Sequence, residues 1–239
     1  MRLQVFLSHN GVCSRRDAMT KVQEGHVRVN GDLVTEPSFP VDPFKDTVQV
    51  DGVTVQKKDY AYILLNKPVG YVTTTEDEHA GKTVMELLPA EYQHLNPVGR
   101  LDKDTEGLLL LTNDGDVAYA LTHPKFDVEK TYFVMINGVL SAEQSQRLEN
   151  GVMVEGKLTA PAKIRDLKTI GSTSDFEMTI HEGRKRQIRL MLEAVGHKVE
   201  YLMRISQGPL ELRRLKVGQW RKLTSEEITG IKSLAEGKT

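Results

Sequence analysis

Residues 107–115 constrain the fold of this chain more than any other stretch. Four consecutive leucines, Leu108 to Leu111, stand between Gly107 and the turn signal Asn113-Asp114-Gly115. An apolar run bounded in this way suits a fully buried strand. The charged loop Arg100-Leu101-Asp102-Lys103-Asp104 leads into it. A loop held by a buried strand is a rigid mount for a reactive side chain. Asp102, close to an arginine and two residues before a second carboxylate, has the setting of a nucleophilic or acid–base aspartate. A loop whose charges are merely solvated would read the same way from these residues alone.

The gross properties narrow the class. The chain of 239 residues can form one large domain, or a small and a medium one. Its hydrophobic content of 39% and charged content of 27% are those of an ordinary globular protein. No apolar stretch approaches the roughly 18 residues that span a bilayer. The segment Met1-Arg2-Leu3-Gln4-Val5 lacks a signal-peptide layout. The expectation is a cytoplasmic protein without membrane contact. A single cysteine, Cys13, excludes an intrachain disulfide and, without partner ligands, a cysteine-built metal site. None of the seven histidines forms a His-x-x-x-His pair in a helical stretch, so no metal is expected.

Net charge is −1, yet its distribution is uneven. Residues 181–222 hold eleven Lys and Arg against four acids, a surplus of seven positive charges that leaves the remainder acidic. A basic tract on an acidic body suits a directed polyanion site, although a solvated helix face has the same composition.

The first 58 residues read as a separate module. Leu3, Phe6 and Leu7 keep helical spacing up to a stop at Ser8-His9-Asn10-Gly11. Ser14 caps a second helix, with Asp17 completing an acidic variant of the capping box. Ala18, Met19 and Val22 are expected to face inward. Val27-Arg28-Val29-Asn30-Gly31 and Val48-Gln49-Val50-Asp51-Gly52 are alternating strands running into hairpin turns. Eight basic residues balance eight acidic ones over residues 1–59, so any polyanion contact here must be local.

Beyond a charged step at Lys57-Lys58-Asp59, residues 60–239 alternate strand and helix signals compatible with an α+β domain. A strand over Tyr60 to Leu65 meets the turn Asn66-Lys67-Pro68-x-Gly70. Later come a short helix over Asp116 to Leu121 and alternating strands over Glu129 to Ile136 and Phe176 to Ile180. Ser141 caps a surface helix, another helix covers Leu190 to Val195, and a short frayed helix covers Ile228 to Thr239.

Gly99-Arg100-Leu101-Asp102, with Thr105, Gly107 and the leucine run, closely resembles the catalytic motif of the RNA pseudouridine synthases. The resemblance is to the RsuA-like branch, which acts on ribosomal RNA. Three further stretches carry the same resemblance: Asn66-Lys67-Pro68-x-Gly70, His181-Glu182-Gly183-Arg184-Lys185-Arg186-Gln187-Ile188-Arg189, and Leu202-x-Arg204-Ile205 with Gly208. The N-terminal module resembles the S4 RNA-binding domain through Ser14-Arg15-Arg16 and Gly25-x-Val27-x-Val29-Asn30-Gly31.

The resemblance implies an α+β fold: a small S4-like domain over residues 1–58 and a catalytic domain over 60–239, the latter a mixed, mainly antiparallel sheet with flanking helices. It implies isomerisation of a uridine to pseudouridine with no cofactor, and ribosomal RNA as partner; a monomer is the default expectation, with the oligomeric state open. Asp102 becomes the catalytic carboxylate and Tyr132 the ring against the target base. Arg189 becomes the guanidinium paired with Asp102, with Arg184 as second choice or as a phosphate ligand. Lys67 reads as structural, with a place near substrate phosphate, and Lys130 as companion to Tyr132. Ile205 closes over the base, and Arg100, Arg186, Ser14, Arg15 and Arg16 join the RNA-binding set.

Ser206 stands where relatives tend to carry a second basic residue. Large-subunit RNA is favoured over small-subunit RNA by the character of the third motif. A non-catalytic RNA-binding assembly factor is the competing class. A hydrolase working with Asp102 and Asp104 ranks third, on the expectation that the two side chains point to opposite sides of the loop.

Overall fold

The structure, a computed structural model, describes residues 1–75 and 81–237. It divides into two compact units. The first comprises Met1–Ala61 with Ala90–Asn96 and Thr112–Gly115; the second comprises Tyr62–Pro89, Pro97–Leu111 and Asp116–Thr239.

In the first unit, α1 (Leu3–His9) and α2 (Arg15–Gln23) pack over a four-stranded antiparallel sheet. Its strands are β1 (Val27–Val29), β2 (Asp32–Leu33), β3 (Val48–Val50) and β4 (Val53–Thr54), in the order β2-β1-β3-β4. Both hairpins turn on residues with positive φ, Asn30-Gly31 and Asp51-Gly52, as two-residue connections between twisted strands require. The core is Leu3, Phe6, Leu7, Ala18 and Val22 with Val27, Val29, Val34, Val41 and Val48. Met19, expected inside, is exposed. Ala18 and Val22 are an i, i+4 pair and define the inward stripe; Met19 lies about 100° around the helix from Ala18.

The second unit is built on a nine-stranded mixed sheet. Its elements follow as β5 (Tyr62–Lys67), β6 (Asn96–Pro97), β7 (Glu106–Thr112), α3 (Gly115–Thr122), β8 (Lys130–Asn137) and α4 (Ala142–Asn150). A separate hairpin, β9 (Met153–Val154) and β10 (Lys157–Leu158), precedes β11 (Lys163–Ile170), β12 (Thr173–Ile180) and α5 (Gln187–Ala194). Then come β13 (Val199–Gln207), β14 (Leu210–Glu211), β15 (Trp220–Lys222) and α6 (Ser225–Ala235). The main order is β11-β12-β8-β13-β7-β5-β15. The registered pairs are antiparallel except β13 with β7, so the expected mixed, mainly antiparallel sheet is present.

Leu108 to Leu111 are fully buried within β7, as their unbroken apolar run requires. Strand β12 alternates strictly between half-buried and buried positions. Helix α6 differs from the frayed tail expected. Thr224 and Glu227 form a capping box, Glu227 takes a two-point bond from Arg221 at 2.7 Å, and Ile231 is buried. These contacts hold the first two turns; Lys238 and Thr239 lie outside the described residues.

Candidate active site

The loop before β7 is held almost entirely through its backbone. The Thr73 hydroxyl donates to the Leu101 carbonyl at 2.8 Å and accepts from the Leu101 amide at 3.2 Å. The Asp102 carbonyl accepts from the Thr105 amide, and the Lys103 carbonyl accepts from the Gly70 amide. Lys67, with no solvent exposure, donates from Nζ to the carbonyls of Pro68, Asp102 and Thr105 at 3.1, 3.1 and 2.8 Å. Each carbonyl from Leu101 to Lys103 thus has a fixed partner, leaving the Asp102 side chain as the projecting part. Burial pushes the Lys67 ammonium down to about 8, against the pull of Asp104, Asp102 and Glu106. That position commits its donors to main-chain carbonyls and away from solvent.

Gly107 sets where this loop can lie. Strand β13 runs parallel to β7 with Arg204 opposite Gly107. Gly107 has φ 113°, and a Cβ there would stand 2.3 Å from the Arg204 carbonyl oxygen. The Arg204 side chain, itself buried, continues the clasp by donating from Nε to the Leu108 carbonyl at 2.8 Å.

Asp102 opens onto a cleft of about 310 Å³ with a mixed polar and apolar lining. Its side chain is 36% exposed. Tyr132 and Lys130 on β8 line the same cleft, as do Ile180, Leu202 and the segment 181–188. Tyr132 is half-buried and packs against the core. Lys130 donates to the Val128 carbonyl at 2.8 Å, and burial, then Arg204, lowers its ammonium below the usual range. A flat heterocycle entering here would meet an aromatic ring, a partly exposed carboxylate and several cationic groups.

The arginines are distributed differently from expectation. Arg186, not Arg189, is the guanidinium nearest Asp102, with Nη1 3.9 Å from Oδ2. Arg186 also makes a two-point bond to Asp104, at 3.1 to 3.2 Å. Arg189 turns to Asp104 and the main chain: Nε lies 3.3 Å from the Asp104 Oδ2, Nη2 donates to the Asp104 carbonyl at 2.8 Å, and Nη1 donates to the Val199 carbonyl at 3.4 Å. The reason is the helix. Arg186 caps α5 with a left-handed backbone, φ 54°, and lines the cleft, whereas Arg189 lies almost a turn further along.

Arg184 is committed elsewhere, to Glu182 at 2.9 Å and to the carbonyls of Lys157 and Leu158. Burial raises the Glu182 carboxyl, but the Ala160 amide, Arg184 and Gln187 outweigh it and leave the group below its usual range. Asp102 and Asp104 do not diverge as expected. Both side chains lie within 4 Å of Arg186, because Asp102 to Thr105 form a tight turn closed by the Thr105 amide on the Asp102 carbonyl.

Ile205, expected over the base, is half-buried and absent from the lining; Leu202 and Arg204, which line it, are its neighbours on alternating β13. Arg100 lines the cleft and is exposed. In the first unit Ser14 accepts from the Asp17 amide at 3.2 Å, and Arg15 and Arg16 are exposed on the first turn of α2. Thr105, His123 and Gln207, none of them a candidate site residue from the sequence, also line the cleft. Thr105 had a signal, its place in the motif; the other two had none. Among the described residues no cluster of His, Cys, Asp or Glu could hold a metal ion, and no helix is long and apolar enough to cross a membrane.

Comparison with known proteins agrees with this architecture. Residues 61–194 match the family model for RNA pseudouridylate synthase, and residues 1–48 match the S4 domain. The chain is 42% identical over 237 residues to ribosomal large subunit pseudouridine synthase B of Bacillus subtilis, covering 98% of this chain and 97% of that one. It is 40% identical over 232 residues to an uncharacterized RNA pseudouridine synthase of Aquifex aeolicus, covering 97% and 93%. A solved crystal structure of a pseudouridylate synthase superposes with a TM-score of 0.69 at 30% identity, over 97% of this chain and 99% of the other. With a fold, a cleft and a family match that coincide over nearly the whole length, this chain belongs to the RNA pseudouridine synthases and carries an S4 domain at its N-terminal end.

Proposed function

We propose that the protein converts a uridine of large-subunit ribosomal RNA to pseudouridine, with Asp102 as the reacting carboxylate. The observation that carries this reading is a half-exposed aspartate side chain in a cleft, on a backbone immobilised at successive carbonyls. The choice of large-subunit RNA follows the name of the Bacillus subtilis relative, a ribosomal large subunit pseudouridine synthase.

The reaction exchanges one glycosidic bond for another. The bond from the sugar C1′ to uracil N1 breaks, the base turns, C5 bonds to C1′, the C5 proton leaves, and N1 gains a proton. Atoms and electrons balance without a co-reactant. Asp102 adds to the base or assists cleavage of the glycosidic bond; each route needs an ionised carboxylate. Tyr132 offers its ring to the uracil face and its hydroxyl to proton transfer. The target nucleotide must leave its stack at a cost of a few kcal/mol, which phosphate contacts offset. Arg100 and Arg186 at the cleft supply some of these, as do Arg15 and Arg16 in an RNA-binding module over residues 1–58, with catalysis confined to residues 60–239. Loops are the natural targets, since side chains cannot read the deep major groove of A-form RNA.

The test is release of tritium from 5-tritiated uridine in transcripts of each ribosomal RNA. Release from 23S RNA and not from 16S RNA is expected. Release from 16S RNA alone would overturn the subunit assignment, and tight binding with no release from either would favour a non-catalytic assembly factor.

A further inference from the structure

Thr122, His123 and Pro124 form one edge of the cleft and have no part in the chemistry just described. They lie where α3 ends and a single 3-10 turn, Pro124–Phe126, begins. His123 caps that turn, its Nδ1 accepting from the Lys125 amide at 3.2 Å. Proline at the first position and a left-handed Asp127, φ 46°, fix its two ends.

The turn folds the chain back onto α3. Val117, Ala120 and Leu121 of that helix are buried, which leaves Tyr119 on the outer side. Lys125 Nζ lies 5.0 Å from the centre of the Tyr119 ring and 4.5 Å from that of Phe126. Phe126 meets Tyr119 edge to face at 5.8 Å, and the His123 ring stands 4.7 Å from it. Phe126 packs into the core below and anchors the cluster, whereas Tyr119 is 47% exposed and His123 and Lys125 are exposed.

An exposed aromatic ring, an ammonium beside it and a capped turn holding both thus continue the cleft edge outward. A base has a π-face that stacks on such a ring whatever its sequence, and the neighbouring cation suits its phosphate. A nucleotide everted into the cleft leaves its neighbours in the strand without one of their stacking partners. The ammonium over the ring favours a polyanion over an apolar protein surface.

We propose that Tyr119 stacks an unpaired base adjoining the target uridine, with Lys125 serving the phosphate of that nucleotide. This is a second nucleotide subsite, outside the cleft that holds Asp102. It rests on the reading that RNA enters that cleft.

The experiment uses the full chain and the shortest hairpin that it protects from ribonuclease on a 23S RNA transcript. Affinity is measured for the intact hairpin and for hairpins made abasic at each unpaired nucleotide in turn. Tyr119→Ala should weaken binding of the intact hairpin roughly 5- to 100-fold, with the salt slope unchanged. Tyr119→Trp, which keeps an aromatic face, should bind within about threefold of wild type. Lys125→Met should lower the salt slope by about 0.7. At one unpaired position beside the modified uridine, removing the base should cancel the effect of Tyr119→Ala, because ring and base act as a pair. Single-turnover tritium release at saturating RNA should stay within about threefold of wild type. Should Tyr119→Ala fail to fold, Tyr119→Leu carries the test, since it packs on Phe126 but presents no aromatic face.

An affinity loss below about twofold overturns the proposal. So does a loss that is equal on every abasic hairpin, since the ring would then only staple the turn to α3. Failure of Tyr119→Trp to restore binding, or protection of no RNA by wild type, overturns it as well. If wild type releases no tritium from the hairpin while ring and base still couple at one position, the functional reading fails and the stacking site stands. If release is robust and no position couples, the reverse holds.

Discussion

Lys67 places an ammonium where solvent does not reach and gives it three carbonyls instead of a carboxylate. Replacing it with methionine removes those donors and frees the backbone under Asp102. We expect tritium release to fall roughly 10- to 100-fold, as misplacement of a reacting group by an ångström does. The pH dependence of stability gives an independent check. Lys67 titrates at about 8 in the fold and at about 10.4 in the unfolded chain. Below pH 8 both states hold the proton, and the full cost of the buried charge is present. Between about pH 8 and 10.4 only the unfolded state holds it, so the fold gains stability as pH rises. Urea unfolding should show wild type gaining on Lys67→Met across that window, by up to about 3 kcal/mol. A flat difference would mean that Lys67 is not buried as a charge.

Legibility at this scale was uneven. Motif residue types marked Asp102 and Tyr132 as lining one cleft, and Lys67 as structural. Here Arg189 and Arg184 bond other partners than Asp102, and Ile205 does not line the cleft. Which arginine meets which carboxylate depends on where α5 begins and on the left-handed turn at Arg186, a difference of one helical turn that spacing does not encode.

Elements are held together at a few close approaches, and Gly107 is the tightest. In Gly107→Ala the new Cβ meets the Arg204 backbone at 2.3 Å on an element that cannot yield, and the left-handed φ is strained as well. A loss of more than about 3 kcal/mol, or failure to fold, is expected in a urea titration. A loss under about 1 kcal/mol would show that β13 and β7 can separate. At the other end of the chain, Ser14→Ala removes the cap of α2 and should cost about 1 kcal/mol. Strongly patterned elements were readable beforehand: β7 from its leucines, β12 from its alternation, α2 from its cap. Strand β11 was not. Its residues are almost all exposed, it carries Lys163, Arg165, Asp166 and Lys168, and it breaks register between Arg165 and Lys168, so no periodicity marks it. Charges and a bulge are features of an edge strand, which must avoid pairing with other chains.

For the molecule as a whole, a net charge of −1 conceals a surplus of seven positive charges over residues 181–222. Binding to RNA should therefore depend steeply on salt despite the near-neutral total. Substituting Arg15 and Arg16 by alanine should reduce the slope of log affinity against log salt by about 0.7 to 0.9 per arginine. An unchanged slope would remove both from the RNA interface. The general plan of the molecule was open to sequence reading because residue-type motifs recur along nearly its full length. The returning stretches Ala90–Asn96 and Thr112–Gly115, which join the first unit, were not, because their membership is decided by contacts far apart in the chain.

The central claim is that Asp102 performs the chemistry while other groups hold the RNA. The most direct measurement compares Asp102→Asn with wild type on one labelled ribosomal RNA, recording tritium release in a single turnover and affinity in the same buffer. Release is expected to disappear while the Kd stays within about threefold. Persistent release at a rate near that of wild type would contradict it, as would a loss of affinity large enough to explain the lost activity.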